Sequence, residues 1–306
     1  MKCERYFLPY GGTGHVDTYI LDSEISYQVE RKWPAMVICP GGGYLLSATK
    51  EGEGAAMPFL SQGFHCFVVR YSTYLTDREG LVNGTPQFNE KAHYPTQILE
   101  LMYVLHLIHE HAEEWNVDEN RIFAMGFSAG GHVVGTLATR WNDESLIRCL
   151  NFTPDIEELK LTGAILSYPM LDGSIFDYAE ETKGEPGNVS YQMNMIKKCL
   201  FGTSAPTEGQ IQSVNLFRYL SPKTCPLFIW HTGEDVVTRP VTSTDFIARM
   251  QELKIPCEYH LFQKGPHGLA ASNRHYAKNN EEIDNEIALW IPLALNWLRG
   301  FEKNNV

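Results

Sequence analysis

The segment with the clearest chemical meaning is Gly126-Phe127-Ser128-Ala129-Gly130, which lies between a strand-like run at residues 121–125 and a helix-like run of small residues. A serine at the centre of such a turn projects its hydroxyl above a sheet, where it can attack a substrate. The flanking glycines avoid a collision across the tight turn. Ala129 opens the helix and can donate its N–H to a developing oxyanion. We therefore predict that Ser128 is a nucleophile; the alternative is a glycine-rich turn with a capping serine.

A base for this serine is predicted in the loop 263–268, which follows the strand-like residues 258–262. Serine is a poor nucleophile until a base removes its proton. His267 lies between Gly-Pro and Gly in this loop, where the chain can bring it to another strand end. His132 and His260 lie inside predicted elements and are interpreted as packing residues. His267 is therefore the predicted base.

The acid that orients this base is predicted to be Asp235, which follows the strand-like residues 227–231. Glu234 adjoins it, and Asp172 ends the preceding strand region, so both are alternatives. The chain order serine, acid, histidine is the one expected when successive strands of an α/β sheet carry the three groups.

A second glycine-rich segment, Cys39-Pro40-Gly41-Gly42-Gly43-Tyr44, follows the buried-strand pattern at residues 35–39. Successive glycines leave backbone N–H groups accessible to a ligand. An acyl-transfer site needs two such donors for the oxyanion, and we expect Gly42 or Gly43 to supply one and Ala129 the other. The spacing matches neither dinucleotide-binding nor P-loop patterns.

Around these motifs the chain alternates between strand-like and helical runs, which predicts a mostly parallel sheet with helices on both faces. Strands are predicted at residues 16–29 (one or two strands), 35–39, 64–70, 121–125, 161–167, 227–231 and 258–262, and helices at 55–62, 95–115, 129–139, 241–253 and 283–298. We interpret the chain as one domain over residues 1–306.

Two long segments interrupt this alternation, at residues 75–94 and 173–220, the second with some helical character. Loops of this length in a compact domain commonly shape a functional site. We expect both to lie over the carboxyl ends of the strands and to form the substrate pocket together with Tyr44.

Composition limits the other classes of function. The 306 residues carry a net charge of −12, which argues against non-specific binding to nucleic acid or anionic lipid. The sequence has no apolar run long enough to span a membrane. Residues 1–10 carry charges where a secretion signal would be apolar, which predicts a cytoplasmic protein. Both a monomer and a homodimer fit the sequence.

Neither a metal site nor a cofactor is predicted. The seven cysteines include no CxxC pair, so the sequence indicates neither a zinc site nor a disulfide framework. The histidines at positions 106, 109 and 111 lie on the predicted long helix without a carboxylate at metal-ligand spacing. We interpret them as surface or core residues of that helix.

Together the motifs resemble the α/β-hydrolases, in particular the esterase/lipase group that includes bacterial acetyl-xylan esterase-like and acetyl-esterase-like proteins. The resemblance extends over residues 35–270 and is carried by the glycine segment 39–44, the segment 120–132 around the serine, the segment 231–235, and Gly265-Pro266-His267-Gly268. It implies the α/β-hydrolase fold with a small helical insertion near the site. It also implies nucleophile, acid and base roles for Ser128, Asp235 and His267, and oxyanion donors at Gly42 or Gly43 and Ala129.

One position departs from the family pattern, because Pro40 stands where many relatives have a histidine that supports the oxyanion loop. This difference leaves open which glycine of residues 41–43 donates to the oxyanion.

The resemblance implies hydrolysis of a small carboxylic ester through an acyl-enzyme on Ser128, with a short acyl group such as acetyl and with an acetylated carbohydrate as one candidate substrate. Alternatives are a peptidase similar to the catalytic domain of prolyl oligopeptidases, a non-catalytic binding protein on the same fold, and lactonase-type or thioesterase-type variants. The intact set of Ser128, Asp235 and His267 argues against the binding protein.

Overall fold

The computed structural model describes residues 1–22, 32–77, 79, 83, 85–176, 189–274, 276–277 and 279–302. Within these residues a central sheet has eight strands in the order β1-β2-β4-β3-β5-β6-β7-β8. The strands are β1 Lys2–Phe7, β2 His15–Ile20, β3 Trp33–Cys39, β4 His65–Arg70, β5 Val117–Phe127, β6 Gly163–Ser167, β7 Leu227–Thr232 and β8 Cys257–Phe262. The first two strands pair antiparallel, β2 also pairs antiparallel with β4, and the remaining pairs are parallel. The prediction of a mostly parallel sheet is confirmed.

Helices cover both faces of this sheet. They are α1 Glu53–Leu60, α2 Thr96–Glu110, α3 Ala112–Trp115, α4 Ala129–Arg140, α5 Glu144–Ile147, α6 Val189–Phe201, α7 Glu208–Ser213, α8 Pro240–Glu252 and α9 Trp290–Arg299. Short 3₁₀ turns occur at Thr49–Glu51, Ile156–Leu159, Leu216–Tyr219, Asn280–Glu282 and Ile287–Leu289.

The alternation of side chains along β3 shows how the two faces are filled. Ala35, Val37 and Cys39 point into an apolar cluster that contains residues of α2, α4 and α8, whereas Met36 and Ile38 point into a second cluster with residues of α1 and α9. Because both faces are covered, a buried strand of this kind is apolar throughout instead of alternating with polar residues.

Several predicted boundaries need correction. The predicted helix 95–115 is divided, since α2 ends at Glu110 and α3 begins at Ala112 after a non-helical His111, whose ring stacks on Trp115 at 4.5 Å. The C-terminal helix begins at Trp290, later than predicted, after two 3₁₀ turns. Of the predicted region 16–29, β2 covers the first part, and residues 23–29 lie outside the described residues.

The first strand was not predicted, because its residues follow no alternation of apolar and polar side chains. All positions of β1 are exposed except Tyr6, which is half-buried. Backbone pairing with β2 holds this strand at the edge of the sheet, and the Tyr6 ring contacts Trp115.

A buried carboxylate anchors the glycine turn that connects β1 and β2. Glu100 of α2 accepts hydrogen bonds from the N–H of Gly11 at 3.1 Å and from both the N–H and the hydroxyl of Ser72 at 2.6 Å. Ser72 in turn accepts a bond from the N–H of Gly14. This buried cluster explains why the turn at residues 11–14 is rich in glycine: a Cβ at Gly11 or Gly14 would lie within 3 Å of it.

The two interrupting segments contact each other beside the glycine loop after β3. The N–H of Tyr94 donates to the carbonyl of Cys199, and the side chain of Ile196 approaches Gly43. Both segments thus reach the carboxyl ends of the strands, at least in the parts that the structure describes. Among the described residues, every helix falls short of the length and apolarity that crossing a membrane requires.

Candidate active site

The turn between β5 and α4 holds Ser128 in a backbone conformation that side chains rarely adopt. Its φ of 52° and ψ of −116° cost about 1–3 kcal/mol, which the surrounding structure must offset. The N–H of Ser128 donates to the carbonyl of Ser167 at 3.0 Å, and its own carbonyl accepts bonds from the N–H groups of His132 and Met170. These bonds fix the serine at the N-terminus of a 12-residue helix, where the backbone field favours negative charge.

The two glycines around this serine are sterically required. A Cβ at Gly126 would lie 2.1 Å from the carbonyl oxygen of Gly130, and a Cβ at Gly130 would lie 2.1 Å from the carbonyl oxygen of Cys39. Both contacts involve backbone, which cannot move aside as a flexible side chain could. The predicted collision across the turn is therefore present at Gly126, whereas the collision at Gly130 is with the end of β3.

The three residues predicted to act together are adjacent in space. Nε2 of His267 lies 2.8 Å from Oγ of Ser128, and Nδ1 of the same ring lies 2.7 Å from Oδ2 of Asp235. Because a carboxylate can only accept, the short contact assigns the imidazole proton to Nδ1 and leaves Nε2 able to accept the serine proton. Ser128 and His267 are partly exposed, whereas Asp235 is buried.

Every oxygen of the Asp235 carboxylate has donors. Oδ1 accepts from the N–H groups of Val237 at 2.8 Å and Thr238 at 3.1 Å, while Oδ2 accepts from His267, from Nε2 of His231 at 3.1 Å and from the Thr238 hydroxyl at 3.0 Å. Burial alone would raise the pKa of Asp235, but the bonds from His231 and His267 outweigh it and hold this pKa well below its usual value. The group is therefore a carboxylate at any pH where His267 can act as a base.

The two alternative acids have other partners. Glu234 accepts the N–H of Gly265 at 2.9 Å and so holds the beginning of the loop that carries His267. Asp172 accepts the N–H and the hydroxyl of Ser174. Asp235 is thus the carboxylate that the structure brings to His267.

The glycine loop after β3 presents two N–H groups beside the serine. Gly41 is not one of them, because its N–H donates to Oε2 of Glu51 at 2.7 Å. The N–H groups of Gly42, Gly43 and Ala129 make no hydrogen bond to any described residue. These three are the predicted oxyanion donors, and the structure leaves all of them available.

Positive backbone dihedrals explain the glycines of this loop. Gly42 has φ of 120°, and a Cβ there would lie 1.8 Å from the carbonyl oxygen of Leu46; Gly43 has φ of 64°. The carbonyl of Gly42 accepts bonds from the N–H groups of Leu45 and Leu46, which folds the loop back on itself.

The prediction that Tyr44 contacts substrate needs correction. Its side chain is fully buried, and its hydroxyl lies 2.5 Å from Nδ1 of His132, whose Nε2 pairs with the carbonyl of Val214 at 2.8 Å. Burial lowers the pKa of His132 to about 4, so this ring is neutral. Tyr44 and His132 therefore pack beneath the site, and the packing role predicted for His132 agrees with this.

Four further residues that the sequence did not single out contact the site. The Thr238 hydroxyl donates to Asp235 and lies 3.1 Å from Nδ1 of His267 and 3.1 Å from the carbonyl oxygen of Tyr168. The Tyr168 ring meets the His267 ring edge-on at 5.0 Å. His231 contacts Asp235, and Glu51 contacts Gly41. Tyr168 lies just after β6, and His231 lies near the end of β7. These positions are the one feature of the sequence that could have indicated a role at the site.

Cavity size does not locate this site. Two cavities of about 590 and 950 Å³ lie at the amino ends of the strands, the first beside Trp33 and Phe64 and the second beside Thr162 and Pro226. Ligands of parallel α/β sheets bind at the carboxyl ends. The arrangement of the serine, the histidine and the carboxylate is the better guide.

Comparison with known proteins agrees with this geometry. Residues 21–250 match the family model described as BD-FAE. The chain belongs to the BD-FAE family. The resemblance to acetyl-xylan esterase-like proteins and the α/β-hydrolase fold predicted from the sequence are confirmed.

Two proteins with similar sequences are longer than this chain. The chain is 28% identical over 274 residues to endo-1,4-beta-xylanase B of Butyrivibrio fibrisolvens, with 89% of this chain and 37% of that protein covered. It is 25% identical over 264 residues to an acetylxylan esterase of Xylanibacter ruminicola, with 84% and 45% covered. The chain therefore spans less than half the length of either relative.

Among solved structures, the carboxylesterase Cest-2923 of Lactobacillus plantarum superposes with a TM-score of 0.78 at 26% identity, covering 98% of each chain. The acetyl ester-xyloside bifunctional hydrolase of Caldicellulosiruptor lactoaceticus gives a TM-score of 0.70 at 24% identity, over 94% of this chain and 88% of that one. The second similarity shows a shared fold.

Proposed function

We propose that this BD-FAE family member hydrolyses carboxylic esters through an acyl-enzyme on Ser128. The observation that carries the proposal is the pair of contacts at His267, 2.8 Å to the serine hydroxyl and 2.7 Å to the carboxylate of Asp235. In this arrangement His267 takes the proton of Ser128 as the hydroxyl oxygen attacks the ester carbonyl.

The charge that develops on the carbonyl oxygen would be stabilised by N–H groups of Ala129 and of Gly42 or Gly43. Removing one such donor from an enzyme of this type costs about 10²–10³ in rate. As the tetrahedral intermediate collapses, His267 returns its proton to the departing alcohol. A water molecule then attacks the acyl group in the same manner, and the acid product leaves.

The buried carboxylate has an electrostatic and a geometric task in this scheme. Asp235 holds the proton on Nδ1 of His267 and stabilises the imidazolium that forms in each step. It does not take the proton itself, since the bonds from His231 and His267 keep its pKa well below its usual value.

For the substrate we propose an ester with a short acyl group, with an acetylated carbohydrate as the candidate to test first. Two of the relatives bear the names acetylxylan esterase and endo-1,4-beta-xylanase. Cleavage of the xylan chain itself is a different reaction, because glycoside hydrolysis uses a pair of carboxyl groups about 5–10 Å apart that flank the bond. At this site Asp235 and Glu51 are both buried and hydrogen-bonded, which favours ester cleavage.

The test is hydrolysis of p-nitrophenyl esters from acetyl to octanoyl by the wild type and by Ser128→Ala, together with acetate release from acetylated xylo-oligosaccharides. We expect a preference for the shortest esters and a loss of activity of at least about 10³-fold in the variant. Deacetylated xylan serves as the control and should release no reducing ends.

Equal activity of the wild type and Ser128→Ala would contradict the proposal. So would inactivity of the wild type across esters, thioesters and acetylated sugars, which would instead favour a binding protein. Cleavage of a peptide amide at a rate above that of the esters would favour the peptidase alternative.

A further inference from the structure

Glu51 is a buried acid that the reaction scheme above does not use. It ends the 3₁₀ turn Thr49–Glu51 just before α1, and it is 3% exposed. Its oxygen Oε2 accepts the N–H of Gly41 at 2.7 Å, and Oε1 accepts the hydroxyl of Tyr168 at 2.8 Å. A buried carboxylate is costly unless it is hydrogen-bonded, and both oxygens of this one have a donor.

Hydrogen bonds connect Glu51 through Tyr168 to the loop that carries His267. The hydroxyl of Tyr168 gives its one proton to Glu51 and accepts the N–H of Ala270 at 3.0 Å. Ala270 lies three residues after His267 and has a φ of 52°. The sequence of donors therefore runs from Ala270 to Tyr168 to Glu51, and from Gly41 to Glu51.

This arrangement joins the two loops that must be aligned for catalysis. Gly41 immediately precedes the free N–H groups of Gly42 and Gly43, and a Cβ at Gly41 would meet Oε2 of Glu51 at 2.9 Å and Cβ of Ser128 at 3.0 Å. At the other end, the Tyr168 ring packs edge-on against the ring of His267. One carboxylate thus sets the position of the oxyanion loop relative to the base.

Pro40 precedes Gly41 and has no backbone N–H, so it adds no donor to this loop. The loop is held through the bond between Gly41 and Glu51.

We propose that Glu51 is a positioning residue for ester hydrolysis, which ties the oxyanion loop at Gly41 to the His267 loop through Tyr168. The inference rests on the proposed function of Ser128 and His267. Glu51 does not touch the reacting atoms in this scheme.

Burial raises the pKa of Glu51, although the bonds from Tyr168 and Gly41 and the attraction to a protonated His267 reduce that rise. The influence of His267 on this carboxyl group shows that the two side chains lie close enough to act on each other.

The experiment compares Glu51→Gln and Tyr168→Phe with two matched controls. Glu100→Gln changes another buried carboxylate, which bonds Gly11 and Ser72 and no residue of the site. Glu53→Gln changes an exposed carboxylate two positions away on α1. For each variant, kcat and KM for p-nitrophenyl acetate are measured from pH 5 to 9, and the melting temperature is recorded.

We expect Glu51→Gln and Tyr168→Phe to lower kcat by at least about tenfold with little change in KM. This loss is smaller than the factor of about 10²–10³ by which removal of an oxyanion donor lowers the rate, because the donors would be displaced and not removed. Glu100→Gln should lower the melting temperature while kcat below that temperature stays within about twofold of the wild type, and Glu53→Gln should change neither.

A wild-type kcat in folded Glu51→Gln would overturn the inference. A loss in kcat no larger than that of Glu100→Gln, at a comparable loss of stability, would overturn it as well. If Glu51→Gln does not fold, Tyr168→Phe decides, and a wild-type kcat there overturns the inference. Failure of the proposed function is a separate result, since it shows as Ser128→Ala activity equal to the wild type.

Discussion

His231 donates from Nε2 to Oδ2 of Asp235 at 3.1 Å, the same oxygen that accepts Nδ1 of the base. The His231 ring is fully buried, and its Nδ1 lies 2.9 Å from the hydroxyl of Ser243 at the core side of α8. The donor to Asp235 fixes the tautomer, so Nδ1 accepts from Ser243. The acid is therefore held from below by a second imidazole that is buried away from the substrate.

Replacing this second imidazole should affect both stability and rate. His231→Leu removes the donor to Asp235 and leaves the Ser243 hydroxyl unpaired, so we expect the free energy of unfolding to fall by about 1–3 kcal/mol. A displaced Asp235 misaligns His267, and kcat should fall by up to about 10²-fold. Urea unfolding and kcat on p-nitrophenyl acetate measure the two effects.

The control for this change is His260→Gln, on the neighbouring strand β8, where the ring meets Glu258 and lies away from the acid. It should leave kcat within about twofold of the wild type. Unchanged kcat in folded His231→Leu would show that Asp235 keeps its place without this contact.

The choice of acid is tested by exchanging carboxylates for amides. Asp235→Asn replaces an acceptor by a group that can donate to Nδ1 and thereby selects the unproductive tautomer of His267, so kcat should fall by about 10⁴-fold, as in other serine triads. Asp172→Asn is the matched change at an alternative acid, whose bonds go to Ser174. A larger loss in Asp172→Asn than in Asp235→Asn would reverse the assignment.

The lowered pKa of Asp235 also predicts a pH dependence of stability. A carboxyl group whose pKa is lower in the folded than in the unfolded chain stabilises the fold above its unfolded pKa, about 3.9 for aspartate, and loses that contribution as the pH falls toward the folded value. The difference in unfolding free energy between the wild type and Asp235→Asn should therefore be constant from pH 7 to 5. This difference in unfolding free energy should become smaller below about pH 4.

Urea unfolding at five pH values between 3 and 7 provides this comparison. Asp172→Asn, measured in parallel, shows how much of any decrease in this free-energy difference is common to aspartates in this chain. If the difference in unfolding free energy between the wild type and Asp235→Asn stays constant down to pH 3, the bonds from the two histidines do not stabilise the Asp235 carboxylate.

The three proposed catalytic residues could be predicted from the sequence because each lies in a glycine-containing turn or loop that follows a strand of the sheet. Their positions then follow from the fold, since the carboxyl ends of parallel strands meet at one edge of the sheet. The steric need for glycine at position 126 arises within the turn itself, whereas the need at position 130 comes from the carbonyl oxygens of Cys39 and Pro40.

The supporting residues could not be found in this way. Glu51 contacts Tyr168, 117 positions away, and His231 is one of several histidines in strands or helices. Tyr44 was misjudged for a related reason: a tyrosine next to three glycines suggests a ligand contact, but its φ of 63° turns the side chain into the core. Which side of a loop faces the core is decided by packing that the local sequence does not encode.

The last prediction concerns the glycine that follows the nucleophile. In Gly130→Ala the new methyl group would lie 2.1 Å from the carbonyl oxygen of Cys39 and 2.5 Å from that of Pro40, so either α4 or the oxyanion loop must move. We expect a loss of about 1–3 kcal/mol in stability, typical of overpacking, and a loss of kcat of about 10²-fold or more because both affected elements carry oxyanion donors. Gly209→Ala in α7 is the matched control, since its nearest neighbour would be 4.0 Å away and alanine favours a helix. Thermal unfolding and steady-state kinetics of the two variants provide the measurement, and equal activity in both would mean that the turn around Ser128 tolerates a side chain at position 130.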